Sequence, residues 1–486
     1  MKTLHEPFVL SHNLHEREGP STEYIENRTF DAIQIGDSAH LRRRLTMDDI
    51  KLFAVISGDV NPAHMDEDYA RSSRFHEIIA HGMWGGALIS AVLGMQLPGP
   101  GTIYLSQSLR FLRPVHIGDL LTVTVTARTK DPATHRIVFD CKCTNQDGEV
   151  SIAGEAEVLA PTEKVRRPRS VLPQVHLVER VHLHRLLEAA QALKPITTAV
   201  VHPVDRQALL GAIAAAKAGL IHPVLVGPEA KIRAAAETYG LDLAPYPIVS
   251  TEHSHAAAAA AVAMVRAGEA EALMKGSLHT EELMQPIVAD SGLRTARRMS
   301  HVFVFDVPTY PRPLFITDAA INLYPTLDDK RDIVQNAIDL ANALGVEQPK
   351  VAILSAVETV IGKLQSTLEA AALCKMADRG QITGGMLDGP LAFDDAISEA
   401  ASKAKGITST VAGHADILVA PDLESATMLA KQLEYLADAQ GAGIVLGARV
   451  PIILTNRADE PIIRIASCAL AVIQIHRKPQ AAGTGQ

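Results

Sequence analysis

HGMWGGALISAVLGMQL, residues 81–97, is one long apolar helix pattern, and the chain changes period straight after it. TIYLSQSLRFL (102–112), DLLTVTVTART (119–129), RIVFDCKCTN (136–145) and VSIAGEAEVLA (150–160) alternate or carry β-branched residues, and DPATH and NQDGE between them are turn sequences. One long helix with an antiparallel sheet is therefore expected before residue 160.

Upstream of the helix, SGDVNPAHMD (57–66) follows the apolar IKLFAVI. Pro62 cannot continue a helix and pushes Asn61 towards an extended conformation, so Asp59 to His64 should turn. A carboxylate and an imidazole that converge on one water form an acid/base pair suited to adding water across a polarised double bond. The same residues also suit a simple Asx-type turn with a solvated histidine.

From about residue 186 the texture differs. TTAVVHP, HPVLVGP, EALMKGS, HVFVFDVP, PLFITDA, KVAILSA, ADILVAP, GIVLGA and VPIILTN are short apolar runs between alanine-rich helical segments. Near-continuous apolar strands imply a mostly parallel sheet covered on both faces, with ligands outside the strands' carboxyl ends. Between the two textures, residues 161–185 mix prolines with a basic cluster and read as a linker. The expected division is a domain over 1–160, the linker 161–185, a domain over 186–478 and a tail over 479–486.

The net charge of −9, with no long basic stripe, argues against nucleic acid and membrane surfaces as partners. The charged N-terminus does not read as a signal peptide, and the longest apolar run, AAAAAAVAMV (256–265), is too short for a bilayer. A cytoplasmic protein is expected. Four cysteines make no disulfide framework, Cys141 and Cys143 lack the second pair of a zinc site, and no metal is expected.

SGDVNPAHMDEDYA, then FHEIIAHGM, then LRFLRPVHIGD resemble the MaoC-type (R)-specific enoyl-CoA hydratases of the hot-dog fold, over roughly 25–160. That resemblance implies Asp59 and His64 as the catalytic pair holding the attacking water. It also implies the Gly82 N–H, at the helix N-terminus, as donor to the thioester oxygen on which charge develops. His81 is expected to support the turn, and Phe53 and Trp84 to belong to the core.

ALMKGSLHTEELMQPIV, RRMSHVFVFDVP, FITDAAINLYPTLDDK, ILSAVETV, DGPLAFDDAIS and APDLESATMLAKQLEYLA resemble the phosphate acetyltransferase and butyryltransferase family over about 190–475. That family moves an acyl group between coenzyme A and phosphate in a cleft between two α/β lobes. The resemblance as a whole is to bifunctional enoyl-CoA hydratase/phosphate acetyltransferases: an α+β hot-dog domain followed by a two-lobed α/β domain with mostly parallel sheets.

Ser277 and Thr280, in the strand-end loop MKGSLHT, are candidates to cradle phosphate. Asp318 and Asn322, spaced like one helical turn in TDAAIN, are candidates to line the same cleft. By the resemblance Arg457 holds the phosphate or acyl group. Asn456 stands where family members commonly carry a serine, and EPIIR (460–464) where the acetyltransferase branch places an aspartate base. The implied substrates are coenzyme A thioesters and phosphate, with no further cofactor, acted on by a homo-oligomer. Two competing readings are a second domain that only binds acyl-CoA and assembles the oligomer, and a pair of scaffold domains without turnover.

Overall fold

The structure is a computed structural model that describes residues 24–173, 175, 177, 180–289, 292–455 and 459–477. His176, Asn456, Arg457 and the tail 479–486 lie outside the described residues. The chain divides into two compact units, Met1–Leu177 and Val178–Gln486.

In the first unit, strand β1 (Tyr24–Glu26) is followed by β2 (Ser38–Arg44) and three helices, α1 (Met47–Ser57), α2 (Pro62–Met65) and α3 (Glu67–Ser72). The long helix α4 (Gly82–Met95) comes next, then β3 (Ile103–Phe111), β4 (Leu120–Asp131), β5 (Arg136–Thr144), β6 (Val150–Leu159) and β7 (Arg166–Pro168). Among the described residues, β2-β4-β5-β6-β3 form a five-stranded antiparallel sheet, and β1 pairs with β7. The alternation seen in the sequence is the alternation of burial: Leu121, Val123, Val125 and Ala127 of β4, and Ile137, Phe139, Cys141 and Cys143 of β5, face inward. Against them α4 buries Trp84, Ile89, Val92 and Leu93. Gly85 lets it sit close, since a Cβ there would lie 2.4 Å from Ile152 Cδ1 of β6. A sheet wrapped on one helix is the hot-dog arrangement. Burial pushes the thiols of Cys141 up to about 11 and of Cys143 up to about 12, in keeping with inert core cysteines.

Within 161–185, β7 closes the small ribbon with β1, and a helix begins at Val181.

In the second unit the strands are β8 (Ile196–Val201), β9 (Ile221–Gly227), β10 (Ile248–Ser250), β11 (Ala272–Lys275), β12 (Ser300–Asp306) and β13 (Leu314–Thr317). They continue with β14 (Lys350–Leu354), β15 (Met386–Leu391), β16 (Ile417–Val419), β17 (Gln440–Leu446) and β18 (Ile452–Ile453). Among the described residues they make one sheet of eleven strands, ordered β10-β9-β8-β11-β18-β17-β12-β13-β16-β14-β15. Two parallel blocks, β10 to β18 and β13 to β15, are the two lobes, joined through the antiparallel pairs β18–β17–β12–β13. Three antiparallel steps separate the blocks, so they point in opposite directions and their carboxyl ends lie at opposite ends of the sheet.

Candidate functional site

The turn in the first unit is built by its own side chains. Helix α1 ends on Gly58 in the left-handed region at φ 75°, and Asn61 caps α2 by accepting from the Ala63 N–H at 3.1 Å, with Pro62 opening that helix. The Asp59 carboxylate accepts from the Asn61 N–H at 3.1 Å, so the Asx turn forms as well and occupies one oxygen. His64 lies half-buried on the single turn of α2, with Nδ1 2.8 Å from the Ile79 carbonyl. A carbonyl only accepts, so Nδ1 carries a proton and Nε2 is left for chemistry.

His81 is the residue that sequence reasoning undervalued. It is 3% exposed, its Nε2 donates to the Asp59 carbonyl at 2.9 Å, and its ring lies 4.0 Å from that of His64. Ligand-type atoms of Asp59, His64 and His81 all fall within 4.8 Å of one another. Because His81 is also the residue at the N-cap position of α4, its bond to Asp59 ties the acid–histidine turn to the N-terminus where Gly82 presents its N–H. Gly82 is exposed, and a Cβ there would come within 3.0 Å of the Phe111 ring at the end of β3. Trp84 is core and Phe53 packs against it, 5.0 Å from the His81 ring. Only the chain reversal between 64 and 81 makes this trio, which no local spacing signals.

In the second unit Ser277 and Thr280 follow β11, and the helix Thr280–Ala289 starts at the latter. The Ser277 hydroxyl accepts from the Asp205 N–H at 3.1 Å, which binds this loop to the one after β8. Gly276 fits there because a Cβ would lie 2.3 Å from the Val201 carbonyl. Thr455, which follows β18 on the same side, accepts from Arg464 Nη1 at 2.9 Å, and Asp459 lies close enough to that guanidinium to favour its charge. Lys275, Asp459 and Arg464 are all buried, a group of charges that the sequence reading did not anticipate, although EPIIR contains Arg464.

Asp318 and Asn322 require a correction. They are not on a helical turn: residues 318–322 form a loop after β13. The Asp318 carboxylate takes the N–H groups of Ala320, Ile321 and Asn322, the Asn322 amide and the His301 N–H. Burial pushes its carboxyl up against those donors. Asn322 in turn accepts from Arg298 Nε at 2.7 Å. Since β13 runs opposite to β11 and β18, this loop leaves the other end of the sheet from Ser277 and Thr280, and the structure does not gather the four into one cradle.

The architecture defines the class: a hot-dog unit carrying an acid–histidine turn, joined in one chain to a two-lobed α/β unit. The family model "MaoC like domain" matches residues 32–144, and "Phosphate acetyl/butaryl transferase" matches 251–472. A phosphate acetyltransferase from Rhizobium meliloti is 62% identical over 295 residues, 60% of this chain and 93% of that protein. A branched-chain phosphotransacylase structure from Enterococcus faecalis is 28% identical, covering 58% of this chain and 99% of its own, with TM-score 0.52. An R-hydratase structure from Pseudomonas aeruginosa is 42% identical over 32% of this chain and 99% of its own, with TM-score 0.31. The chain belongs to the phosphate acetyl/butyryltransferase family and carries a MaoC-like domain ahead of it.

Proposed function

We propose that the first unit hydrates short-chain enoyl-CoA to the (R)-3-hydroxy thioester and that the second transfers acyl groups between coenzyme A and phosphate. The observation that carries the first half is the convergence of Asp59 and His64 beside the α4 N-terminus. The thioester carbonyl sits against the Gly82 N–H, which stabilises the oxyanion formed as water attacks. Asp59 takes a proton from water as its oxygen bonds the β-carbon, and His64 is the partner through which, at Nε2, a proton reaches the α-carbon. The two groups are close enough for the proton on Asp59 to return to His64, and the thioester leaves with one water added.

In the second unit Arg457 holds phosphate, aided by Ser277 and Thr280, while Asn456 bonds the departing thiol. Asp318 and Asn322 shape the other end of the sheet and hold Arg298. The match to a phosphate acetyltransferase across nearly that protein's whole length supports turnover here. Coenzyme A thioesters are substrates and no other cofactor takes part; the chain acts in the cytoplasm as a homo-oligomer. The test is to supply the full chain with crotonyl-CoA and water, and separately with acetyl-CoA and phosphate. Hydration is followed by loss of enoyl absorbance and transfer by free coenzyme A. Absence of either product removes that half of the reading.

A further inference from the structure

We propose that Asp59, His64 and His81 form a binding site for a divalent ion of the zinc type, and that the ion, once bound, switches hydration off. The inhibition rests on the hydratase reading; the site does not.

What sets these three side chains apart is how each is held. Each histidine has one ring nitrogen tied to a backbone carbonyl, His64 Nδ1 to that of Ile79 at 2.8 Å and His81 Nε2 to that of Asp59 at 2.9 Å. A carbonyl only accepts, so the tied nitrogens carry the protons and each ring keeps a lone pair on its other nitrogen. Donation of the second ring nitrogen to a carbonyl is what fixes tautomer and orientation in metal-ligating histidines. Asp59 is held in the same manner, with one oxygen accepting from the Asn61 N–H at 3.1 Å and the other left over.

His81 supplies a second, independent sign. It is 3% exposed, and its Nδ1, the nitrogen with the lone pair, meets no hydrogen-bond donor among the described residues. A buried acceptor without a donor is a cost to the fold, and the hydration chemistry of Asp59, His64 and Gly82 gives this nitrogen no task. A cation satisfies it.

The donor set suits zinc. Two imidazoles and a carboxylate are ligands that zinc takes at about 2.0–2.2 Å with a fourth position open, whereas magnesium and calcium prefer oxygen alone. One ligand-type atom from each residue lies within 4.8 Å of the others, and the two rings are 4.0 Å apart, centre to centre. Neighbouring ligands on a tetrahedral zinc stand about 3.4 Å apart, so the group has to draw in by at most about 1.5 Å, within reach of small side-chain rotations. Among the described residues no other three of His, Cys, Asp and Glu converge in this way. Asp59 is exposed, His64 half-buried and His81 buried, so the ion enters from the carboxylate side. Bound there, it takes the remaining Asp59 oxygen and His64 Nε2, the two positions that hydration uses, and neither then accepts or delivers a proton.

The test is titration of the full chain, stripped of metal by a chelator, with Zn2+ against a chromophoric chelator and with Co2+ followed by its visible absorption. The parent should hold zinc with a Kd of about 1 μM or lower. His81→Gln keeps an amide donor for the Asp59 carbonyl and loses the Nδ1 ligand, so it should bind about 100-fold more weakly and lose the Co2+ band. His64→Ala, a residue outside the core, should lose the ion equally and decides the matter if His81→Gln does not fold. His255→Ala, at the exposed His253–His255 pair, should bind as the parent does. No zinc bound by the parent in this range, binding that survives loss of His81 or His64, or binding that His255→Ala removes overturns the site, whether or not the chain hydrates anything. For the inhibition, zinc at about ten times its Kd should lower crotonyl-CoA hydration about tenfold, and chelator should restore it. Hydration frees no thiol to compete for the ion. Unchanged or faster hydration with zinc bound, in a parent that hydrates, overturns the inhibition and leaves only the site. A parent that hydrates nothing removes the inhibition together with the hydratase reading, and the titration still decides the site.

Discussion

Asp59 and His64 are held by bonds that leave one carboxylate oxygen and one ring nitrogen for water, and this division decides what their replacement does. Asp59→Asn keeps the acceptor for the Asn61 N–H and loses the proposed base, while His64→Ala loses the proposed partner in proton delivery. Each should lower crotonyl-CoA hydration by roughly 100-fold or more, with unchanged thermal unfolding, because neither side chain belongs to the core. Near-parent hydration in a folded variant would remove that residue from the chemistry. His301 makes the opposite case. It is fully buried on β12, and burial, opposed by the Leu454 backbone, pulls its pKa down from 6.5 to about 3. The folded state therefore refuses a proton that the unfolded chain accepts below pH 6.5. The stability it protects is complete above that pH and is lost progressively as pH falls towards 3, at about 1.4 kcal/mol per pH unit. Between pH 7.5 and 5, His301→Leu should shrink the acid loss of the second unit's stability by about 2 kcal/mol, measured by denaturant midpoints. An identical pH dependence in the variant would mean that other groups carry it.

At the scale of elements, the close approach of β3 and β6 depends on Gly154. A Cβ there would lie 1.8 Å from the Ser108 carbonyl oxygen, a backbone atom that cannot turn aside. Gly154→Ala should cost the first unit on the order of 3 kcal/mol and displace the Phe111 end of β3, lowering hydration while phosphate-dependent acyl transfer persists. A variant as stable as its parent would show that the edge strand yields more easily than its geometry indicates. The same scale shows what the sequence made legible. Strands β4 and β5 were readable because one face is buried and the other wet, so burial and alternation coincide. In the second unit the nine apolar runs all became strands, since strands covered on both faces need no polar face. Strand β15 was hidden because MLDGPL carries Asp, Gly and Pro, which read as a turn, and β10 because three residues after a proline give no period. The spacing of Asp318 and Asn322 misled for a related reason: an Asp side chain that takes three successive N–H groups competes with the helix it was read into. The acid–histidine turn was legible as a local motif, whereas the Asp59–His81 bond spans 22 residues and rests on tertiary packing alone.

For the whole molecule, the two units each have their own apolar core, one around α4 and the others on both faces of the eleven-stranded sheet. Cutting between Leu177 and Val178 should therefore give two pieces that fold, the first hydrating enoyl-CoA and the second releasing coenzyme A from acetyl-CoA with phosphate. Aggregation of both pieces where the full chain is soluble would deny the units their independence. The second piece also decides how to read Asn456, which stands where the family commonly has serine. A serine hydroxyl can bond the departing thiolate with less bulk than an amide, so Asn456→Ser should raise coenzyme A release if the amide is a weakened version of that contact. Arg457→Ala should lower release by roughly 30-fold or more, because phosphate would lose a charge-assisted partner worth about 2 kcal/mol or more. If the unit only binds ligand, no variant will turn over, and Arg457→Ala will instead weaken acyl-CoA or phosphate binding. Release measured from acetyl-CoA and butyryl-CoA for the parent and both variants separates these outcomes. Full activity in the parent that Asn456→Ser leaves unchanged would mean that the side chain at 456 does not set the thiol's environment.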